Sequence, residues 1–470
     1  MMEAIQEVFD LQGKNRWTVA NSTAEERVAK LRRLKTAIIA DREAIASAMH
    51  QDFRKSRVEV ELTEIHPVLE EINQFIKHLA QWMRPSHVHT PTTLGNSRSE
   101  VRYESKGRVV ILAPWNYPFN LLMAPTVAAI AAGNCVILKP SNKVPHTANC
   151  LAKLIASVFE PKEVALFEGG GELGDFLLTL PFDHFFFTGG PRIGKKVMIA
   201  AAEHHATVTL ELGGKSPVIL DEDVDIASAT KKIAWGKFLN GGQTCVAPDY
   251  AFVPKVLLSQ FVEGIQRNVA EFYGADDASR KASVDFPRIV DEHNHKRLTV
   301  TIQQTVSAGG RIEFGGQADA KERYIAPTLM TNITPSSPIM QEEIFGPILP
   351  VMTYDKREEV IDFVRSRPKP LALYVFSNRS DKANYFIENT TAGGTVVNNV
   401  IIQVGNSHLP FGGVGMSGQG NYHGLYGFKT FSHERAVIRQ GKANVVKLFY
   451  PPYRGKLQRW AEAYLKFIDR

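Results

Sequence analysis

A single cysteine, Cys245, closes the stretch Asn240-Gly241-Gly242-Gln243-Thr244-Cys245, just past a helical pattern and inside a glycine-containing turn. Small residues let another group approach the backbone closely. A thiolate is the strongest side-chain nucleophile near neutral pH, so the turn suits a nucleophile shown to a cleft. Packing as a small hydrophobe is the alternative, and it is the reading given to Cys135 and Cys150. Upstream, Leu210-Glu211-Leu212-Gly213-Gly214-Lys215 sets an acid in an apolar strand end. Desolvation there raises a carboxyl pKa towards the range of a general base; a Glu turned to solvent at a strand terminus is the other reading. Asn116, in Pro114-Trp115-Asn116-Tyr117-Pro118, follows an apolar run. Its amide either donates to an oxyanion or merely occupies a turn between two prolines.

Two further stretches concern phosphate and ribose. Thr188-Gly189-Gly190-Pro191-Arg192-Ile193-Gly194 reads as strand end, glycine turn and helix start, the geometry in which backbone N–H groups meet a phosphate. Its Gly-x4-Gly spacing is not the G-x-G-x-x-G fingerprint. Lys139-Pro140-Ser141-Asn142 closes another strand and reads either as a ribose contact or as a solvated loop. The 14 histidines are scattered, and neither His204-His205 nor His293-x-His295 has zinc-site spacing, so no metal is expected.

These residues need a scaffold. Apolar positions at helical spacing predict helices over 24–50 and 60–83. From 107 onward, short apolar runs at 109–112, 136–138, 164–167, 184–188 and 208–212 alternate with helical stretches near 119–132, 145–159 and 191–203. That alternation predicts a parallel sheet covered on both faces. A second series begins at 217–220 and continues through 250–253, 371–376 and 395–400, with a helix over 225–239. The polar segment 85–106 reads as a solvated loop or an edge hairpin used in subunit contact.

The bulk composition agrees. The 470 residues are 44% hydrophobic and 22% charged, with 35 Gly and 25 Pro, which excludes collagen-like, disordered and disulfide-scaffold classes. A net charge of +6 without long like-charge blocks gives no sign of nucleic-acid binding. Three cysteines make an odd count, so free thiols in the cytoplasm are expected. The start MMEAIQEVFD lacks the basic-then-apolar pattern of a secretory signal. The apolar stretch 121–138 is interrupted by Pro125, Gly133 and Asn134, so no transmembrane segment is expected.

In order and content these motifs resemble the aldehyde dehydrogenase superfamily along nearly the whole chain. Leu210 to Lys215 is similar to the family's glutamate signature, and Phe238 to Cys245 to its cysteine signature. Phe187-Thr188-Gly189, Glu342-Glu343-Ile344-Phe345-Gly346-Pro347 and Leu409-Pro410-Phe411-Gly412-Gly413 also match. The tail motifs Tyr422-His423-Gly424 and Tyr450-Pro451-Pro452-Tyr453 resemble the class 3 branch, as does Pro125 where many relatives have Lys.

The resemblance implies an α/β fold of two doubly wound lobes, a Rossmann-like cofactor domain (1–84 and 107–210) and a catalytic domain (211–394). To these it adds a small β oligomerisation element (85–106 and 395–420) and a C-terminal tail (421–470). It implies NAD(P)-dependent oxidation of an aldehyde to the acid. Cys245 is then the nucleophile, Asn116 the oxyanion donor and Glu211 the activator of the hydrolytic water. Lys139, Gly189, Gly190, Glu343 and Phe345 hold NAD or NADP, and Tyr117, Trp235 and Phe411 line a substrate tunnel suited to medium or long aliphatic and aromatic aldehydes; for Trp235, ordinary helix core is the plain alternative. A homodimer is implied as well.

Two departures stand out. Asn142 occupies a position where many NAD-preferring relatives carry Glu, which predicts use of both NAD and NADP. Gly242 stands where some class 3 relatives have a further Cys. Residues 456–470 form a short, charged amphipathic pattern with Leu457, Trp460, Ala461, Tyr464, Leu465 and Ile468 on one face and Lys456, Arg459, Lys466 and Arg470 available to the other. It reads as a helix packed on the protein itself or in weak interfacial contact with a membrane. The rival functions are a cofactor-independent thiol esterase, a non-enzymatic binding protein, and a reductive or acyl-transferring relative.

Overall fold

The computed structural model describes residues 1–442 and 450–468, side chains beyond 467 excepted. Helices lead the chain. Met2–Ala20 comes first, and the pattern over 24–50 resolves into two helices, Ala24–Ala40 and Arg42–Phe53, separated at Asp41. The first of these starts in a capping box between Thr23 and Glu26. A short helix, Arg57–Val60, runs into a π-helical turn, Glu61–Ile65, and then into His66–Trp82.

β1 (Ser86–Val88) and β2 (Ser97–Ser105) precede the first lobe, whose strands are β3 (Arg108–Leu112), β4 (Cys135–Lys139), β5 (Val164–Leu166), β6 (His184–Gly189) and β7 (Thr207–Leu212). They lie parallel in the order β7-β6-β3-β4-β5. Val109, Val110 and Ile111 are fully buried, as a strand covered on both faces requires. Helix Asn120–Ala131 is buried along nearly its whole length and shares one core with β3, β4 and the helices between 24 and 82.

The second lobe contains β8 (Pro217–Leu220), β9 (Tyr250–Pro254), β10 (Arg311–Phe314), a two-residue hairpin of β11 (Ala318–Asp319) and β12 (Tyr324–Ile325), β13 (Thr328–Thr331), β14 (Ile348–Tyr354), β15 (Ala372–Phe376) and β16 (Gly394–Val397). Its seven-stranded sheet runs β10-β13-β14-β9-β8-β15-β16, parallel except for β10. Two doubly wound α/β lobes result.

The structure corrects the expected boundaries in two places. Glu211 belongs to β7 of the first sheet, so the chain leaves that lobe through Gly213-Gly214, not at 211. Residues 395–420 do not join 85–106. β16 closes the second sheet, and β17 (Gly418–Gln419) pairs antiparallel with β7. The partner of 85–106 is β18 (Ser432–Gln440), which pairs with β2 from Ser432↔Ser105 to Gln440↔Ser97, inside what reads in sequence as tail. Pairing across more than 300 residues leaves no local signal, and the mostly exposed Ser-His-Glu-Arg run of β18 has no core alternation to announce it. Among the described residues no helix is long and apolar enough to cross a membrane. Of the C-terminal pattern, helix Lys456–Ile468 is described and Arg470 lies outside the described residues.

Candidate active site

A cleft of about 710 Å³ opens between the lobes at the carboxyl ends of the first sheet's strands, where doubly wound folds bind ligands. Asn116, Glu211 and Cys245 all line it, together with Gly189, Gly190, Glu343 and Phe345.

Cys245 reaches the cleft through an unusual turn. Helix Ile226–Phe238, capped by the Asp225 carboxylate on the Ser228 N–H, ends just before three consecutive left-handed residues: Asn240 (φ 54°), Gly241 (φ 61°) and Gly242 (φ 73°). A Cβ at Gly242 would collide with the Gly346 carbonyl oxygen. Glycine at 242 is therefore a steric requirement of this loop, and the missing second thiol follows from it. The loop is braced from within. Asn240 Nδ2 donates to the carbonyls of Asn116 (2.8 Å) and Gln243 (3.1 Å), and Asn116 Nδ2 also donates to Gln243 O (3.1 Å). Gln243 donates to Arg288 O and accepts from the Val290 N–H. Sequence reasoning missed Asn240 and Gln243 as structural ties. Both sit in the quoted motif, but their partners at 116 and 288–290 are remote in the chain.

Burial sets the electrostatics. The Cys245 thiol is pushed up to about 12, first by desolvation and then by the Glu343 and Glu211 carboxyls; the N–H groups of Cys245 and Val246 act in the opposite sense. Glu211 is buried, neither of its carboxylate oxygens has a partner among the described residues, and desolvation holds its carboxyl well above the usual range. A carboxylate in that environment is a strong proton acceptor.

Other groups shape the remainder of the cleft. Helix Pro191–Glu203 starts at Gly190 with Pro at its first position, and a Cβ on Gly190 would meet nothing within 4 Å. The Thr188 hydroxyl is buried without a partner among the described residues. The Glu343 carboxyl occupies the space that a side chain on Gly213 would need, and the Gly214 N–H favours its charged form. Desolvation and the neighbouring Asp249 raise it to about 8. Phe345 holds a left-handed backbone (φ 50°) with its ring edge-on to Trp115 at 5.3 Å. The helix start at Gly190, the Thr188 hydroxyl and the Glu343 carboxyl all line the cleft and fit a dinucleotide.

Five expected residues lie outside that lining. Lys139 ends β4, its Nζ on Pro140 O at 3.3 Å, and Asn142 Nδ2 lies 3.8 Å from where a Gly170 Cβ would stand, beside the start of helix Gly171–Thr179. Tyr117 is buried, with its hydroxyl on Thr244 Oγ1 at 2.7 Å. Phe411 stacks on His423 at 5.2 Å and meets Tyr422 edge-on at 5.7 Å. Trp235 is 39% exposed, because its neighbour Gly236 is the residue pressed against Val400. Trp235 is therefore not helix core. Among the described residues no group of His, Cys, Asp and Glu is arranged to hold a metal ion.

Known proteins match the chain closely. The model of the Aldehyde dehydrogenase family matches residues 3–437. The rat protein named "Aldehyde dehydrogenase, dimeric NADP-preferring" is 41% identical over 92% of this chain and 94% of its own. Mouse "Aldehyde dehydrogenase family 3 member A2" is 42% identical over 93% and 90%. The substrate-bound structure of Staphylococcus aureus AldH superposes with a TM-score of 0.93 at 40% identity, covering 98% of this chain and 99% of that one.

Proposed function

The chain belongs to the aldehyde dehydrogenase family, in its class 3-like branch, and catalyses NAD(P)-dependent oxidation of an aldehyde; from that premise we propose how its own residues divide the work. The observation that carries the assignment is the convergence of a thiol, a partnerless carboxyl and a side-chain amide on one cleft.

Cys245 Sγ attacks the carbonyl carbon as its proton passes to solvent in the cleft. Asn116 spends one amide hydrogen on Gln243 O. Its second hydrogen and the Cys245 N–H hold the developing oxyanion. When bound, the nicotinamide supplies the hydride acceptor that turns the thiohemiacetal into a thioester. Glu211 then takes a proton from the water that hydrolyses the thioester. Gly189, Gly190, Lys139, Glu343 and Phe345 hold the cofactor. A thiol esterase would have no use for the Gly190 helix start, Glu343 or Phe345. A basic Glu211 on the thiol's own cleft favours water over another acyl acceptor.

For the substrate we favour medium or long aliphatic and aromatic aldehydes. Tyr117 and Tyr422 feel the Cys245 charge, Phe411 packs in the same apolar cluster, and the exposed Trp235 suits the mouth of the path. Absorbance at 340 nm on a panel from acetaldehyde to decanal and benzaldehyde tests this. kcat/KM should rise with chain length by about tenfold for each buried pair of methylenes, at ~0.8 kcal/mol apiece. A flat or falling series would overturn the apolar path.

Asn142 supports use of both cofactors, because an uncharged residue there removes repulsion from a 2′-phosphate. Asn142→Glu should raise KM for NADP roughly tenfold while KM for NAD changes little, about 1.4 kcal/mol of added repulsion. Equal effects on the two cofactors would remove Asn142 from selectivity.

The three cysteines are unpaired, which suits the reducing cytoplasm. Fractionation of cells checks this, and recovery of the protein outside that compartment would refute it. We also read the protein as a homodimer joined through the β1-β2-β18 sheet, where Val88 and Ile438 are exposed. Helix Lys456–Ile468 carries exposed Trp460, Leu465 and Phe467 beside Lys456, Arg459 and Lys466, which suits weak contact with an anionic lipid surface. Sedimentation of the full chain, and of a chain ending at Tyr453, with and without anionic vesicles addresses both. A monomer mass refutes the dimer, and equal vesicle partition of the two chains refutes the lipid contact.

A further inference from the structure

Behind the nucleophile loop lies a buried group of charges that the reaction itself does not use. Lys55 has no solvent exposure, and its Nζ sits 2.8 Å from Glu64 Oε1, 3.9 Å from Glu59 Oε1 and 3.9 Å from the centre of the Tyr117 ring. Glu64 has no exposure and Glu59 is 7% exposed. Neutral, well-packed residues would stabilise such a place at least as well, because buried ion pairs seldom repay their desolvation.

The contacts of this triad are its distinguishing feature. Glu64 Oε2 accepts the N–H groups of Phe119 (3.2 Å) and Asn120 (2.9 Å), directly after the segment that carries Asn116. The π-helical turn Glu61–Ile65, an insertion of the kind that re-aims side chains at functional sites, carries Glu64. The backbone N–H of Asn240, the first left-handed residue of the nucleophile loop, lies against Glu59 and favours its charged form. The Tyr117 ring lies over the Lys55 ammonium, and its hydroxyl meets Thr244 Oγ1, one residue before Cys245. One buried cation and two carboxyls thus touch both loops whose spacing sets the distance from sulfur to oxyanion donor.

We propose that Lys55, Glu59 and Glu64 form an ionic clamp that holds the 116–120 and 240–245 loops in register, with Lys55 a positioning residue acting on Cys245 through Tyr117 and Thr244. The proposal rests on Cys245 and Asn116 having the roles assigned above. Tyr117 is then more a strut than a passive tunnel wall, since its hydroxyl is committed to the loop.

The test compares the full-length Lys55→Met, Glu64→Gln and Lys55→Met/Glu64→Gln variants with wild type. The readouts are kcat, KM, the rate of Cys245 alkylation by iodoacetamide, NAD affinity and Tm. Lys55→Met leaves an uncompensated buried carboxylate, so Tm and kcat both fall. Glu64→Gln keeps an oxygen acceptor for the Phe119 and Asn120 amides, and in the double variant the buried Glu59, freed of the cation that lowers its carboxyl, takes up a proton, so the Tm of this variant recovers towards wild type. Its kcat is expected to stay down by roughly tenfold or more, a misplacement of well under 1 Å being enough. Alkylation changes with it, while NAD affinity holds within about twofold, below ~0.4 kcal/mol. A kcat that returns together with Tm, or a Lys55→Met enzyme with wild-type kcat and alkylation rate, overturns the clamp.

If the Lys55 variants do not fold, Tyr117→Phe decides, because it keeps the ring over Lys55 and removes only the bond to Thr244. A severalfold loss of kcat with NAD affinity intact is expected, and unchanged kcat refutes the strut. An active Cys245→Ala enzyme would refute the assignment of the nucleophile instead, so the two failures are distinguishable.

Discussion

Cys245→Ala is expected to abolish aldehyde-dependent reduction of NAD and of NADP, lowering kcat by on the order of 10⁴-fold or more, as loss of a covalent nucleophile does in other enzymes. Removing Sγ removes the atom that makes the acyl intermediate, and the neighbouring hydroxyl of Thr244 is already engaged by Tyr117. Cys135 and Cys150, the other two thiols, lie in or against the cores of the first lobe, away from the cleft lining. NAD affinity should stay near wild type, since the walls that hold the dinucleotide are untouched. The thiol also gives a pH signature. Burial lifts it to about 12, so without cofactor the thiolate is the minor form at neutral pH and alkylation by iodoacetamide accelerates as pH rises towards that value. A rate that levels off near pH 9 would mean an ordinary exposed thiol. Substantial aldehyde oxidation by the alanine enzyme would remove Cys245 from the mechanism.

Glu211→Gln is expected to lower steady-state kcat by about 10²- to 10⁴-fold, the usual worth of a positioned general base, by stalling hydrolysis of the thioester. Rapid mixing separates the steps: a burst of reduced cofactor close to one per active site, followed by a slow steady rate, is the expected trace. Loss of the burst would place Glu211 before acylation only, as the base for the thiol. The same substitution has a predictable effect on stability. Desolvation raises the Glu211 carboxyl in the folded protein above its ordinary value, so the native state holds a proton that the unfolded chain releases. The group therefore stabilises the fold below the unfolded pKa and loses that contribution as pH rises towards the folded one. Glutamine cannot ionise, and neither carboxylate oxygen gives up a hydrogen bond in the exchange. The Tm of Glu211→Gln should match or exceed wild type, with the gap widening from pH 5 to pH 8. A lower Tm across that range would mean that the carboxylate has a partner in the folded protein.

Much of this site is legible before any coordinates. The run Val109 to Leu112 is apolar at every position and bounded by glycine and proline, which only a strand buried on both faces tolerates, and it delivers Asn116 to a strand end. The helix expected at 191–203 is observed at Pro191–Glu203 because proline and the preceding glycines mark its start without help from elsewhere. The helix over 225–239 is likewise observed at Ile226–Phe238, with Asp225 as its cap. Other features have no local mark. The break at Asp41 divides what periodicity alone joins into one helix.

The sequence by itself determined the chemistry on offer: one thiol after a glycine turn, one acid in an apolar strand end, one amide between prolines, and the alternation of strands and helices that brings strand ends to a cleft. Those are properties of residue type and short spacing, and short spacing is written locally. Tertiary structure alone decided that β18 pairs with β2, that Tyr117 bonds Thr244 above a buried Lys55, and that Glu211 is buried without a partner among the described residues. Each of these depends on which remote residues exclude water from a group or meet it across hundreds of positions. Desolvation and long-range pairing are properties of the assembled core, so the weakened acidity of Cys245 and Glu211 arises only once the chain has closed around them.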